Sequence, residues 1–578
     1  MINININGIN YKAYKNETIL EVARRGDIYI PTLCHMNLHE FKVINKSASC
    51  RVCMVEIEGR KNLAPACSTN ATEGMVVHTN TLRAVKSRRV MVELLLSNHP
   101  KDCLICDRNQ NCELQQLAAD LGVREIKYLG EMSEHAKDTS SLSLVRNAEK
   151  CVLCRRCETM CNEVQTVGVY SAVDRGFDTT IGTAFDLPMK KTACTFCGQC
   201  VSVCPTGALT EVDNTRRVLE ILQTPGKIVI AQTAPAIRVA LGEEFGMPVG
   251  TRVTGKMVSA LRKLGFDKVM DTDFAADVTI MEEASELIHR LEHNGRLPIL
   301  TSCCPAWVKF IEHQFPDLLD IPSTCKSPHE MFGALAKTYL ADKMGVNPED
   351  IVVVSIMPCL AKKYEAARPE LTEESMANVD YVVSTRELAR MIKQAGINFA
   401  TLPNDDFDNP MGESTGAGVI FGATGGVIEA ALRTAHEWLT GEPLEAISFT
   451  QLRGFAGVRV SSVMINGTEL RIAIAHGLGN ARRLLEDVRD GKAVYHAIEI
   501  MACPGGCVGG GGQPYHHGDT EIIKKRTAAI YAEDEGKTIR LSHKNPSVIK
   551  LYKEFLGEPY GEKAHELLHT TFTKRTKL

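Results

Sequence analysis

Four cysteines in three distant segments have the surroundings to hold one metal cluster. Cys503 and Cys507 lie in Glu499-Ile-Met-Ala-Cys-Pro-Gly-Gly-Cys-Val-Gly-Gly-Gly-Gly-Gln513, Cys304 in Thr301-Ser-Cys-Cys-Pro-Ala-Trp307, and Cys359 in Met357-Pro-Cys-Leu-Ala-Lys-Lys363. Each segment follows a short apolar run of the kind that forms a buried strand: Leu297 to Leu300, Ile351 to Ile356 and Ala497 to Ile500. A cysteine just beyond such a run projects from the carboxyl end of its strand, where open α/β sheets place their ligands.

Other cysteines are spaced for electron-carrying clusters. Cys34, Cys50, Cys53 and Cys67 follow C-x15-C-x2-C-x13-C on a small β-rich unit. The set resembles the 2Fe-2S domain of plant-type ferredoxins, with a first gap lengthened by the insertion Asn37 to Ser49, and zinc is the alternative metal. His99, Cys103, Cys106 and Cys112 fall within fourteen positions behind an apolar helical run at 90 to 96. One imidazole among three thiolates would tune a cluster's potential or bind zinc. That spacing resembles the histidine-ligated 4Fe-4S site of some hydrogenases and of the large iron-sulfur subunit of respiratory complex I.

The strongest pattern is a duplicated C-x2-C-x2-C-x3-C run, at Cys151, Cys154, Cys157 and Cys161 and again at Cys194, Cys197, Cys200 and Cys204. It resembles bacterial ferredoxins, in which the fourth cysteine of each run ligates the other cluster. Cys204 then joins Cys151, Cys154 and Cys157, and Cys161 joins Cys194, Cys197 and Cys200. The first run ends Cys-Asn where Cys-Pro is usual, which weakens a turn signal and removes no ligand.

These sites need several domains, and 578 residues provide for about four. A formal net charge of -4 gives no electrostatic case for nucleic acid or an anionic membrane surface. The opening Met-Ile-Asn-Ile-Asn-Ile-Asn-Gly reads as a half-buried strand and turn rather than a signal peptide, so a cytoplasmic location is expected. No apolar run approaches about 18 residues, so no membrane span is expected. The twenty-one cysteines sit in tight groups separated by cysteine-free stretches such as 205 to 302 and 360 to 502, a distribution that fits metal ligation better than a disulfide scaffold.

Residues 1–80 therefore read as a β-grasp 2Fe-2S ferredoxin-like domain, with a strand pair about Asn7-Gly8 and a helix from Thr18 to Arg25. Residues 81–141 read as the histidine-ligated 4Fe-4S segment, and 142–213 as a ferredoxin-like domain with two 4Fe-4S clusters. From 214 to 578, strands such as Lys227 to Ala231 alternate with helices such as Val253 to Leu264 in one large α/β domain. The glycine-rich stretches Gly416 to Gly426 and Gly509 to Gly512 lack the order of a nucleotide-binding fingerprint, and close packing is their expected role.

The three cysteine segments and the accessory-cluster motifs together resemble the FeFe hydrogenases across essentially the whole chain. The layout is similar to the catalytic subunits of multi-subunit, NAD(P)-linked, electron-bifurcating enzymes. The resemblance implies an H-cluster, in which Cys304, Cys359, Cys503 and Cys507 hold a 4Fe-4S cubane and Cys507 bridges it to a di-iron unit carrying CO, CN and azadithiolate. One 2Fe-2S and three accessory 4Fe-4S clusters complete the cofactors. It implies that Lys362 donates to a cyanide nitrogen, the adjacent Lys363 being the better solvated surface lysine. Met357, Met501 and Phe421 would line the cofactor, with Pro235 and Ala236 approaching a cyanide through a backbone donor only.

Cleavage of H2 releases a proton into a dry site, so a relay of titratable groups is required. By resemblance it starts at Cys303 and passes Glu283, Ser323 and Glu286 toward Arg290. Glu283 and Glu286 are three apart, which puts them on one helical face. Cys325 reads as a buried structural thiol. The implied activity is reversible H2 oxidation and proton reduction, with electrons leaving by the histidine-ligated or the 2Fe-2S cluster. The implied assembly is a hetero-oligomer with a flavin- and NAD(P)-binding diaphorase-type subunit, a small 2Fe-2S subunit and ferredoxin, in which the exposed 2Fe-2S domain makes the contact. Competing readings are a stand-alone ferredoxin-dependent hydrogenase, an H2-sensing regulator and a cluster-assembly protein. The presence of Cys303 and the complete cysteine set argue against the last two.

Overall fold

The alternating Ile and Asn residues at the start form β1 (Ile2–Ile6), which turns through Asn7 and Gly8, both at positive φ, into the antiparallel β2 (Ile9–Ala13). In this computed structural model all residues are described except 44, 302, 374, 375, 443, 445 to 447, 466, 577 and 578. Helix Ile19–Arg25 starts with a capping box between Thr18 and Glu21 and stops at Gly26. Strands β3 (Met54–Ile57), β4 (Ala64–Pro65) and β5 (Met75–His78) complete a five-stranded sheet in the order β2-β1-β5-β3-β4, with β1 and β5 parallel.

The long first gap of this domain has a structural use. Met36 and Leu38, with Phe41 and Val43 beside them, pack on Met160, Val164 and Val203 of the ferredoxin-like domain, and Lys46 pairs with Glu158 at 2.9 Å. Leu33 and Val52 meanwhile share an apolar cluster with Val92, Leu114 and Leu117, which lie on helices Leu82–Ser97 and Glu113–Asp120. The cluster-binding edge of the first domain is therefore turned inward.

Strand β6 (Leu144–Arg146) opens the ferredoxin-like unit, the hairpin of β7 (Ser171–Val173) and β8 (Thr180–Gly182) follows, and β9 (Leu209–Glu211) closes it by pairing antiparallel with β6. Beyond it the chain builds two four-stranded sheets. The first contains β10 (Ile228–Thr233), β11 (Lys268–Asp271), β13 (Ile351–Met357) and β16 (Tyr381–Ser384), all parallel, in the order β11-β10-β13-β16. The second contains β12 (Ile299–Thr301), β17 (Val458–Ile465), β18 (Thr468–His476) and β19 (Ala497–Met501), in the order β12-β19-β18-β17. A two-stranded ribbon of β14 (Thr372–Glu373) and β15 (Met376–Ala377) lies at the side.

Every residue of β13 and β19 is buried, as parallel strands covered on both faces require, whereas β17 alternates as an edge strand does. The three cysteine segments thus follow strand ends of two sheets rather than one. Among the described residues no helix is long and apolar enough to cross a membrane.

Candidate active site

Strands β12, β13 and β19 end at Thr301, Met357 and Met501, and a cysteine follows two residues later in each case: Cys303, Cys359 and Cys503. Cys304 is the N-cap of helix Pro305–Gln314, whose Pro at the first position sets the helical φ without losing a needed donor. Cys507 is reached through a tight turn in which Gly505 and Gly506 have φ of +74° and +99°; a Cβ on Gly506 would lie 2.6 Å from the Thr424 nitrogen. All five cysteines, with Lys362, Met357, Phe421, Met501 and Pro235, line one apolar cavity. Ser302, between Thr301 and Cys303, lies outside the described residues.

The donor set fits an iron cluster. All twenty-one cysteines are free, and burial pushes the Cys359 thiol up to about 12 and raises Cys304 and Cys503 as well. Cys507 is raised by its hydrogen bond with Cys303 and by burial. Without iron these would be neutral thiols in an apolar pocket, and a metal is what makes buried thiolates tolerable. The same test applies at the other sites. Cys151, Cys154, Cys157 and Cys204 share one cavity, and Cys161 lies among Cys194, Cys197 and Cys200. The Cys34 side chain is hydrogen-bonded with Cys50 and Cys67, and Cys53 with Cys67. His99 is buried with Nδ1 unpartnered, and burial lowers it to about 4, so a neutral ring is available as a ligand.

Lys362 is buried, and its ammonium donates to the Cys303 carbonyl at 3.0 Å, Ser327 Oγ at 2.9 Å and Glu365 at 2.6 Å. Burial opposes its charge, but Glu365 and the nearby thiols outweigh that and raise its pKa. Lys363 is not the solvated lysine that its sequence context predicts. It is buried, donates to the Val382 carbonyl at 2.7 Å and pairs with Glu387 at 2.9 Å, because the short helix Ala361–Glu365 is enclosed on both sides. The cavity wall predicted at Pro235 and Ala236 is built by Ala234 and Pro235. The Ala236 carbonyl accepts from Gln513 Nε2 at 2.9 Å.

Glu283, Ser323, Glu286 and Arg290 form one hydrogen-bonded chain on the buried helix Thr272–Glu292 and the loop beside it. Glu283 is hydrogen-bonded to Ser323, Ser323 Oγ donates to Glu286 at 2.7 Å, and Arg290 donates to Glu286 at 2.6 Å while reaching toward the surface. Among the described residues no direct bond joins Cys303 to Glu283; Thr301 donates to Glu283 at 2.5 Å from the intervening strand end. Burial holds Glu283 up at about 8. Cys325 is buried as expected, with its sulfur 3.9 Å from Glu286.

Sequence reasoning missed Thr301, Glu365 and Glu499. Glu365 had a signal in its three-residue spacing from Lys362. Glu499, fully buried on β19 and raised by burial to about 7, binds the backbone nitrogens of Gly425 and Ile428, a role without a local signature.

The ferredoxin-like unit is joined directly to the cysteine-bearing loop. Gln199 donates to the Gly509 carbonyl at 2.8 Å and Gln165 to the Ala502 carbonyl at 2.9 Å, so the ferredoxin-like unit is bonded to the loop that carries Cys503 and Cys507. The glycines of that loop are needed for contact: a Cβ on Gly510 would lie 2.2 Å from the Pro358 carbonyl. At the other end of the chain of sites Cys103 is exposed, flanked by Leu104 and Ile105 at 89% and 85% exposure, whereas the cysteines of the first domain are all buried. Of the 2Fe-2S ligands, Cys34 and Cys50 share an apolar cluster with Cys154 and with residues of helices Leu82–Ser97 and Glu113–Asp120.

Comparison with known proteins gives several matches. Residues 227–511 match the model of the iron only hydrogenase large subunit, C-terminal domain, and 520–575 that of the iron hydrogenase small subunit. Residues 1–82, 88–127 and 150–208 match a 2Fe-2S cluster binding domain, the NADH-ubiquinone oxidoreductase-G iron-sulfur binding region and a 4Fe-4S dicluster domain. The chain is 58% identical to the NADP-reducing hydrogenase subunit HndD of Solidesulfovibrio fructosivorans, covering 100% of each chain. It is 40% identical to iron hydrogenase 1 of Clostridium pasteurianum over 99% of this chain and 100% of that protein. The solved structure of apo FeFe-hydrogenase HydA1 from Chlamydomonas reinhardtii aligns with a TM-score of 0.57 at 44% identity, covering 63% of this chain and 100% of that one.

Proposed function

The chain belongs to the iron-only hydrogenase family, and on that footing we propose that it is the catalytic subunit of a multi-subunit, NAD(P)-linked hydrogenase that oxidises H2 and reduces protons reversibly. It is an oxidoreductase with 2Fe-2S, 4Fe-4S and H-cluster cofactors. We assign one 2Fe-2S and three accessory 4Fe-4S clusters to the ligand sets above, and take 1–80, 81–141, 142–213 and 214–578 as the domains that hold them. When bound, the H-cluster supplies the metal site at which H2 is split or formed.

The residues of the chain do the rest. Cys304, Cys359, Cys503 and Cys507 would hold the cluster, and Met357, Phe421 and Met501 keep water from it. Lys362 presents an ammonium to the cavity and fixes the Cys303 carbonyl at 3.0 Å. Cys303, beside Cys507, takes up or returns a proton, and Glu283, Ser323 and Glu286 pass it toward the surface at Arg290, whose guanidinium stays charged and orients Glu286. The single observation that carries this reading is the convergence of five cysteines and one buried lysine on one apolar cavity that adjoins a ferredoxin-like unit.

The assembly is a hetero-oligomer with NAD(P)-linked subunits. Its partners in this reading are a flavin- and NAD(P)-binding diaphorase-type subunit, a small 2Fe-2S subunit and ferredoxin, in a cytoplasmic, electron-bifurcating complex. The exposure of Cys103 supports the histidine-ligated cluster as the solvent-facing end of the route. Infrared spectroscopy of the matured protein tests the core of the reading: bands of iron-bound carbonyl and cyanide are expected, and their absence after competent maturation would sink it. Purification from the native source should bring down flavin-containing subunits; a monomer that reduces NAD(P) alone would contradict the partner assignment.

A further inference from the structure

Helix Pro305–Gln314 begins at Cys304 and carries Lys309 just over one turn later. The Lys309 side chain is buried, and its ammonium lies 3.8 Å from the centroid of the Phe196 ring and 4.8 Å from that of Tyr364, the two rings being 5.2 Å apart. Phe196 stands between Cys194 and Cys197. Among the described residues no oxygen accepts a hydrogen bond from this ammonium. Glu312, the nearest acid on the helix, is already held by Arg368 at 2.7 Å and Arg575 at 2.6 Å. The faces of both rings attract the cation. Burial pulls its pKa down to about 8, and the Cys194 sulfur is the first influence to oppose this. Lysine is ordinarily cationic at neutral pH, and the thiolates of a cluster at Cys194 and Cys197 would flank the Phe196 ring that its ammonium covers.

We propose that Lys309 is a positioning residue for electron transfer: its charge, held over Phe196, raises the reduction potential of the 4Fe-4S cluster at Cys194, Cys197, Cys200 and Cys161. The reduced cluster carries one more negative charge than the oxidised one, so a fixed cation stabilises the reduced form more. That cluster site touches the catalytic loop through Gln199 and Gly509, so its potential sets how readily electrons enter or leave the catalytic centre. The inference rests on the assignment of those four cysteines to one cluster.

The test is an EPR-monitored redox titration of the holoenzyme with Lys309→Met, Lys309→Gln and Lys309→Arg, with iron and sulfide counted in each. Both neutral variants should lower one 4Fe-4S potential, changing the reduced-to-oxidised ratio at fixed potential about tenfold, which is about 59 mV for a one-electron couple. The other clusters should titrate as in the parent, and Lys309→Arg should restore the shifted one. Lys309→Gln serves should Lys309→Met not fold. An unshifted potential in a cluster-replete neutral variant, or an equal shift in all clusters, overturns the proposal. Loss of the dicluster signals from the parent itself would instead overturn the ligand assignment.

Discussion

Gly198 of the ferredoxin-like unit and Gly511 of the catalytic loop meet backbone to backbone: a Cβ on Gly511 would lie 2.6 Å from the Gly198 Cα and 2.7 Å from the Cys197 carbonyl oxygen. Gly198 also has φ +73°, a conformation that side chains disfavour. Two glycines therefore allow one cluster-binding loop to lie against another, and distance governs electron transfer between them.

Gly511→Ala should force these backbones apart, since the atoms it meets are not flexible side-chain ends. We expect a loss of about 1–3 kcal/mol in stability, as for other overpacked contacts, and slower electron passage to the catalytic centre. Stopped-flow reduction followed by EPR checks this. Unchanged stability together with an unchanged rate would show that the contact is slack.

Cys303→Ala should lower H2 turnover about 100-fold or more, the scale of losing a positioned acid-base group, while the carbonyl and cyanide bands persist. The cavity keeps its four other cysteines, so cluster retention separates proton transfer from assembly. Normal H2 evolution in the variant would remove the relay assignment.

Glu283 retains a proton in the folded state up to about pH 8, whereas its ordinary carboxyl value is 4.5. Between those values the folded chain binds the extra proton, so this group makes stability fall as pH rises across the window, and its penalty is complete above it. Glu283→Gln cannot ionise. Melts at about pH 5 and pH 9 should show the variant gaining on the parent at the higher pH, with turnover reduced. A pH-independent difference contradicts the burial argument.

Arg386 is buried where the two units meet, donating to Glu211 at 2.7 Å and to the Gly511 carbonyl at 2.9 Å. Burial alone would raise the Glu211 carboxyl, but Arg386 and Arg390 outweigh it and hold it well below the ordinary range. Its contribution is therefore present above the ordinary carboxylate pKa and lost as pH falls below it. Arg386→Leu leaves Arg390 as the sole partner, and we expect about 3 kcal/mol of destabilisation in denaturant titrations at neutral pH. A loss under about 1 kcal/mol would mean that Arg390 alone suffices.

The sequence by itself grouped the cysteines, because C-x2-C spacings are local and a strand followed by a cysteine reads directly as a site at a sheet edge. It also placed Glu283 and Glu286 on one face, since helical periodicity is local. Tertiary structure decided what depends on contacts between distant segments. The two-sheet origin of the cysteine segments, the burial of Lys363 against Glu387, the Thr301 bond to Glu283 and the packing of Cys34 and Cys50 with Cys154 all arise where separate segments pack, and no spacing encodes them. The same holds for Gly198 and Gly511. Each reads alone as a turn residue, and only their juxtaposition shows why neither can carry a side chain.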